Sequence, residues 1–311
     1  MSERAVLIAG PTASGKSSLA LIEAESATRA GLRPLIVNAD SMQVYRELRI
    51  ISARPSHEDE ASVKHALYGF VSAIEVFNTG RWLDEMALLL GGLDEDELPI
   101  IVGGTGLYFK ALLEGFARIP DIPDAVRKRL REQFEEEGAQ EMHQRLAAVD
   151  SHMAGALEPT DGQRILRALE VHEVTGKSIV YWQEEAQASP LLKGEECRKI
   201  IALPERDVLY ERINARFDGM VSNGALDEVA ALSKLKLDGD LPAMKAIGVP
   251  QFMAHLEEGM ALDDAISDAK QESRRYAKRQ MTWLRNQMGD DWIRDAERNV
   301  LSMNAHRNHE G

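Results

Sequence analysis

Short apolar runs alternate with stretches of helical spacing along the first third of the chain. AVLIAG (residues 5–10) is wholly apolar and ends at glycine, as a strand buried on both faces does, and SSLALIEAESATRA after it repeats apolar positions at helical intervals. LIVNAD (35–40) predicts a second strand, HALYGFVS (65–72) a third, residues 79–90 a helix, and PIIVGG (99–104) a strand ending in glycines. TGLYFKALLEG then predicts a helix that starts at a threonine suited to capping and stops at Gly115. Strands alternating with helices imply an α/β fold, a parallel sheet flanked by helices, with ligands beyond the carboxyl ends of the strands. The glycines and Asp40 fall at those ends.

The pattern changes at FARIPDIPD. From there to about Gly194 the periodicity is helical throughout, over 124–137, 139–147, 161–175 and 178–188. RKIIALP (198–204) returns to strand character, and the helix that follows closes on Gly224. An all-helical stretch bracketed by sheet elements reads as an insertion domain. The expected organisation is a core from 1–117 and 197–295, a helical lobe from 118–196, and a flexible tail from 296–311. The last long helix, 261–288, carries a strongly basic segment.

Composition narrows the class. The chain has 311 residues, enough for one large domain or two modest ones, and its 44% hydrophobic and 28% charged residues suit a soluble globular protein. Cys197 is the single cysteine, which excludes an internal disulfide and a zinc site built on paired cysteines and points to a reducing, cytoplasmic setting. No signal-peptide pattern and no membrane-length apolar run is present, so no membrane is expected. A net charge of -14 argues against a polyanionic partner only if the charge is evenly spread. It is not: DEDE and EQFEEE gather acid, whereas residues 270–285 hold six basic side chains against one acidic. Lys270, Arg274 and Lys278 recur every four residues as one basic stripe.

GPTASGKS fits G-x-x-x-x-G-K-[ST] at every fixed position: Gly10, Pro11, Thr12, Ala13, Ser14, Gly15, Lys16, Ser17. Placed between an apolar strand and a helix, it predicts a phosphate-binding loop and a P-loop NTPase-like sheet, with Lys16 as a point charge and the Ser17 hydroxyl within reach of Mg²⁺. Most such loops hold a nucleoside triphosphate, so a small-molecule kinase is one reading, and an RNA-binding protein with a nucleotide switch another. The segment DSMQVYRELRIISARP after the second strand offers a carboxylate, amides and a tyrosine, groups that read and deprotonate a nucleobase. Asp40 is the candidate base, although an Asp at a strand end also serves as a helix cap or a partner of Mg²⁺.

GPTASGKS, NADSMQVYR, IIVGGTGLYFKALLEG, DGQRILRALEVHEVTGKS, RINARFDGMV, AIGVPQF and AKRQMTWLRNQ, in this order, span nearly the whole chain. On these segments the chain resembles the bacterial tRNA dimethylallyltransferases. The resemblance implies transfer of a dimethylallyl group from dimethylallyl diphosphate to the N6 amine of the adenine 3′-adjacent to the anticodon, in tRNAs reading UNN codons, without ATP. It implies a diphosphate gripped by residues 10–17 and Arg216, with Mg²⁺ as cofactor and Asp40, Lys16, Thr12 and Arg216 as catalytic groups. It also implies an anticodon stem-loop contacted by Asp40, Ser41, Met42, Gln43, Thr105, Arg127, Gln163, Arg164, Ile165, Leu166, Arg167, Lys245 and the region to Gln251, with Arg274 and Lys278 on phosphates. Arg164 and Arg167 stand i,i+3 on a predicted helix. A monomer is expected. Three places depart from the family pattern: Ile51, Ser52 and Arg54 replace glycine, threonine and lysine types, AIGVPQF lacks an aromatic after its glycine, and HALYGFVSAIEVFNTGRW has one histidine where a pair is frequent.

Overall fold

The computed structural model describes residues 3–186 and 190–294. In chain order its elements are β1 (Ala5–Ala9), α1 (Lys16–Arg29), β2 (Arg33–Asn38), α2 (His57–Ser62), β3 (Lys64–Ala66), α3 (Thr79–Gly91), β4 (Glu97–Gly103) and α4 (Gly106–Glu114). Four helices follow, α5 (Asp124–Val149), α6 (Ser151–Gly155), α7 (Gly162–Thr175) and α8 (Ile179–Ala186). The chain then continues through β5 (Cys197–Ile201), α9 (Arg206–Ser222), α10 (Ala225–Ser233), α11 (Val249–Glu258) and α12 (Leu262–Gln287). The chain divides into two compact units, Ala111–Leu191 and the remainder.

The larger unit is built on a parallel sheet in the order β3-β2-β4-β1-β5. Residues of β1, β4 and the inner part of β2 are buried on both faces, the pattern a parallel sheet under helices demands. On one face Val6, Ile8, Ile36, Ile100, Val102 and Ile200 pack against Leu19, Ala20, Ala24 and Ala27 of α1. Elsewhere in this unit α9 and α12 meet through Leu209, Ile213, Ala277 and Met281. The smaller unit is all helical, with a core of Leu130, Met142, Leu146, Leu157, Ile165 and Leu169.

Most expected elements are present, with informative shifts. The third strand ends at Ala66, because Leu67 and Gly69 take positive φ (61° and 55°) and turn the chain; only Val71, bridged to Tyr45, regains pairing. The two helices expected on either side of Gly138 are α5, whose axis breaks where Gly138 adopts φ 83°, ψ 169°. The sequence pattern did not disclose α2, α6, α10 or α11. α8 is described to Ala186, and the expected flexible tail, 296–311, lies outside the described residues. Among the described residues no helix is long and apolar enough to cross a membrane.

At their carboxyl ends the three central strands close on one another. Ala39 N–H donates to Val102 O (2.8 Å), Thr105 N–H to Ala39 O (3.2 Å) and Gly10 N–H to Gly103 O (3.2 Å). A Cβ on Gly103 would stand 2.0 Å from the carbonyl oxygen of Ala39, so no other residue fits without parting β2 from β4. Gly103→Ala is expected to lower stability by about 3 kcal/mol or more. Gly219→Ala, inside α9 with open space around it, is expected to raise stability by up to about 1 kcal/mol. Urea midpoints of the two variants against the parent chain measure both.

Candidate functional site

Residues 10–15 leave β1 and enter α1, whose first residue is Lys16. The loop curls because Ala13 (φ 61°) and Gly15 (φ 91°) both lie in the left-handed region. Its backbone is braced by Ser14 N–H on Pro11 O (3.2 Å), and the buried Ser14 hydroxyl finds no partner among the described residues. Lys16 is only 9% exposed, and its Nζ donates to Pro11 O at 3.2 Å. Burial pulls its pKa down to about 8; Asp40 raises it and Arg216 lowers it further. Ser17, the next residue of α1, is exposed.

Arg216 reaches the loop from α9, its guanidinium Nη2 donating to the Thr12 hydroxyl. Burial lowers its pKa, and Asp40 opposes that shift. A buried cation, a half-buried one and one carboxylate therefore share this end of the sheet, an excess of positive charge suited to a polyanion.

Asp40 follows β2 in a turn organised by Asn38, which is fully buried. Asn38 Oδ1 accepts from Asp40 N–H (2.8 Å), and its Nδ2 donates to the carbonyls of Asp40 and Leu67, each at 3.0 Å. Asn38 O accepts from Trp82 Nε1–H (2.8 Å), and the Trp82 ring stacks on Tyr108 with centroids 4.3 Å apart. Within the carboxylate, Oδ1 accepts from Met42 N–H at 2.9 Å. The phenols of Tyr68, Tyr108 and Tyr276 are pushed well above the usual tyrosine range, first by burial and next by the Asp40 charge, so they stay protonated donors.

The Thr105 hydroxyl, just ahead of α4, accepts from Ser41 N–H (3.0 Å), tying the end of β4 to the Asp40 turn. Gln43 uses its Nε2 on the carbonyls of Ser52 and Ala53 (3.0 and 2.9 Å). The departures at Ile51, Ser52 and Arg54 lie in this same loop, which Glu228 of α10 fixes by accepting the N–H groups of Arg49, Ile50 and Ile51 at 2.8, 2.8 and 2.9 Å. Arg54 lies over Gly69, where a Cβ would have no room.

The phosphate loop, Arg216, Asp40 and Thr105 thus come together, along with one residue that the sequence reading passed over. Gln280 of α12 is 7% exposed; its Oε1 accepts from Thr12 N–H (2.9 Å) and its Nε2 donates to Gly104 O (2.8 Å). A polar residue on the same buried face as Ala277 and Leu284 was the available signal.

The basic stripe is not uniform. Lys270 is matched by Asp218 (2.5 Å), Arg274 donates to Asn214 Oδ1 (2.7 Å), and Lys278 is exposed. Lys245 pairs with Asp240 at 3.0 Å. Within the helical unit Arg127, Arg164 and Arg167 each pair with an acid three residues away, Asp124 (3.7 Å), Asp161 (3.6 Å) and Glu170 (3.3 Å). Gln163 is exposed, Ile165 is fully buried, and Leu166 is half-buried against the same core.

The family model described as IPP transferase matches residues 43–287. The tRNA dimethylallyltransferase of Agrobacterium fabrum (strain C58) is 51% identical over 291 residues, covering 93% of this chain and 96% of that protein. Its counterpart in Bartonella henselae is 47% identical over 287 residues, 92% of this chain and 97% of that one. The crystal structure of the tRNA isopentenylpyrophosphate transferase from Bacillus halodurans superposes with a TM-score of 0.66 at 31% identity, over 99% of this chain and 96% of its own. The match in sequence and in fold runs through the phosphate-loop core and the helical unit alike, and the chain belongs to the IPP transferase family, the tRNA dimethylallyltransferases.

Proposed function

We propose that the chain transfers a dimethylallyl group from dimethylallyl diphosphate to the N6 amine of the adenine 3′-adjacent to the anticodon, in tRNAs that read UNN codons, releasing diphosphate. The observation that carries this reading is the meeting of Thr12, Lys16 and Arg216 with Asp40 at one end of the sheet. Family membership supports it.

The reaction forms a bond from N6 to the allylic carbon while the bond from that carbon to the diphosphate oxygen breaks, and the electron pair leaves with the diphosphate. The loop of residues 10–17 takes the diphosphate on backbone N–H groups other than those of Gly10, Thr12 and Ser14, which already bond Gly103 O, Gln280 Oε1 and Pro11 O. Lys16 and Arg216, which rest on Pro11 O and Thr12 Oγ1, exchange these weak acceptors for phosphate oxygens and stabilise the growing charge. An exocyclic adenine amine has its lone pair drawn into the ring and gains acidity only as the new bond develops. Asp40 is then the base that takes the N6 proton, oriented by Met42 N–H on its Oδ1.

The donors present fit Mg²⁺. Ser17 offers a hard hydroxyl oxygen at the exposed start of α1, and no group of three His, Cys, Asp or Glu able to hold an ion lies among the described residues. Ser17 would hold such an ion together with the diphosphate. When bound, it would supply further positive charge to the leaving group.

The target adenine leaves the anticodon-loop stack before Asp40 reaches it. Ser41, Met42, Gln43 and Thr105 beside Asp40 are assigned to the flipped nucleotide. Arg127, Gln163, Arg164 and Arg167 of the helical lobe, residues 118–196, are assigned to the stem-loop, as are Lys245, Arg274 and Lys278. The enzyme is assigned as a monomer acting in the cytoplasm.

Mass spectrometry of an unmodified UNN-reading tRNA transcript, incubated with protein, Mg²⁺ and dimethylallyl diphosphate, is expected to show one added dimethylallyl unit without ATP. ATP consumption with a phosphorylated product would move the chain to the small-molecule kinases. In the same assay Asp40→Ala is expected to keep tRNA affinity and lose turnover by about 10²- to 10⁴-fold. Lys16→Ala and Arg216→Ala are expected to lower kcat/KM for dimethylallyl diphosphate by about 10²-fold or more each; unchanged values would remove them from the diphosphate site. Lys278→Ala is expected to reduce the salt slope of tRNA affinity by about one, whereas Lys270→Ala, whose partner is Asp218, leaves it alone. Equal slopes would return Lys278 to the solvated face.

A further inference from the structure

Gln280 is an amide where packing alone would place an alkyl chain. It lies on the buried face of α12, between Ala277 and Leu284 and beside Met281. Burying a primary amide costs free energy unless its hydrogen bonds are made, and here both ends of it are used. Oε1 accepts from Thr12 N–H at 2.9 Å, and Nε2 donates to Gly104 O at 2.8 Å. The orientation is dictated by these partners, since a backbone N–H needs an acceptor and a carbonyl needs a donor.

The two partners belong to two segments that border the proposed chemistry. Thr12 is in the loop assigned to the leaving group, and its hydroxyl also receives Arg216. Gly104 follows β4, and the next residue, Thr105, holds Ser41 N–H and with it the Asp40 turn. A Cβ on Gly104 would fall 2.4 Å from Gln280 Nε2 and 3.5 Å from Asp40 Oδ2, so the amide and the carboxylate border the same point.

We infer that Gln280 is a positioning residue for the transfer step, a spacer of fixed length that sets the diphosphate loop at its distance from the base, Asp40. The inference rests on the proposed roles of the loop and Asp40. As the bond from N6 to the allylic carbon forms, the diphosphate must depart on one side while the N6 proton passes to Asp40 on the other. Both requirements are met only when loop and strand end keep their spacing, and an error of about 1 Å in such an alignment costs about 10²-fold in rate. Gln280 acts through Thr12 and Gly104.

The test is Gln280→Met, which keeps length and bulk and makes neither bond. Its kcat is expected to fall about 10²-fold while affinities for Mg²⁺-diphosphate, read by calorimetry, and for the anticodon stem-loop stay within about threefold of the parent. Gln280→Asn keeps the amide but is one methylene too short to span loop and strand. It is expected to give the same split, and it answers the question if the Met variant does not fold. A kcat within about threefold of the parent in the folded variants would overturn the inference, and so would a loss of diphosphate affinity that matches the loss of kcat, the mark of a merely structural role. Parent enzyme that transfers the group while Gln280→Met matches it sinks this inference alone. Asp40→Ala with parental turnover removes the reading beneath it.

Discussion

Everything at the site depends on how closely the central strands approach one another at their carboxyl ends. β2, β4 and β1 are joined there by backbone hydrogen bonds that run past the last regular pairs, and Gly103 has the carbonyl of Ala39 where a side chain would begin. Such proximity leaves no slack. The residues that emerge from the three strands, the phosphate loop after β1, the Asp40 turn after β2 and Thr105 after β4, are obliged to share one small region. In open α/β sheets it is beyond the carboxyl ends of the strands that ligands bind.

Electrostatics then selects what enters that region. Lys16 is desolvated enough to bring its pKa to about 8, Arg216 is lowered by burial as well, and Asp40 is the acid that acts on both. Holding two cations in poor solvent is unfavourable, and a multivalent anion relieves it. The hydrogen bonds that occupy them, to a main-chain carbonyl and a threonine hydroxyl, are weaker than those a phosphate accepts. The fold therefore holds a site whose charge balance favours a multivalent anion, beside a carboxylate whose Oδ1 accepts from Met42 N–H.

Much of this was legible in the sequence because it is local. The apolar run, loop and helix from Ala5 to Arg29 are contiguous, and so are β2 and Asp40, so spacing alone located them. The break at Gly138 was visible for the same reason. What was not legible depends on partners far along the chain. Gln280 meets Thr12 and Gly104 across sequence separations of 268 and 176 residues, and Glu228 serves Arg49, Ile50 and Ile51 across nearly 180. Lys270 and Lys278 read alike on a helix wheel, and only the packing of α9 against α12 gives one of them Asp218. Ile165 lay in a segment matched as a whole, and burial separates it from its arginine neighbours.

The pairing of β1 with β5 has a consequence for the order of events during synthesis. Ala5 aligns with Cys197, so the second strand made adjacent to β1 on that side leaves the ribosome only after the entire helical unit has been translated. The smaller unit, contiguous in sequence, has all its own core residues available earlier, whereas the nascent sheet waits with one edge of β1 open. The phosphate loop, made before the helical unit, gains its hydrogen bond to Gln280 only when α12 arrives. A ribosome that stalls before α12 thus releases a chain that carries the phosphate-loop motif in full and yet lacks the support that gives the motif its working shape.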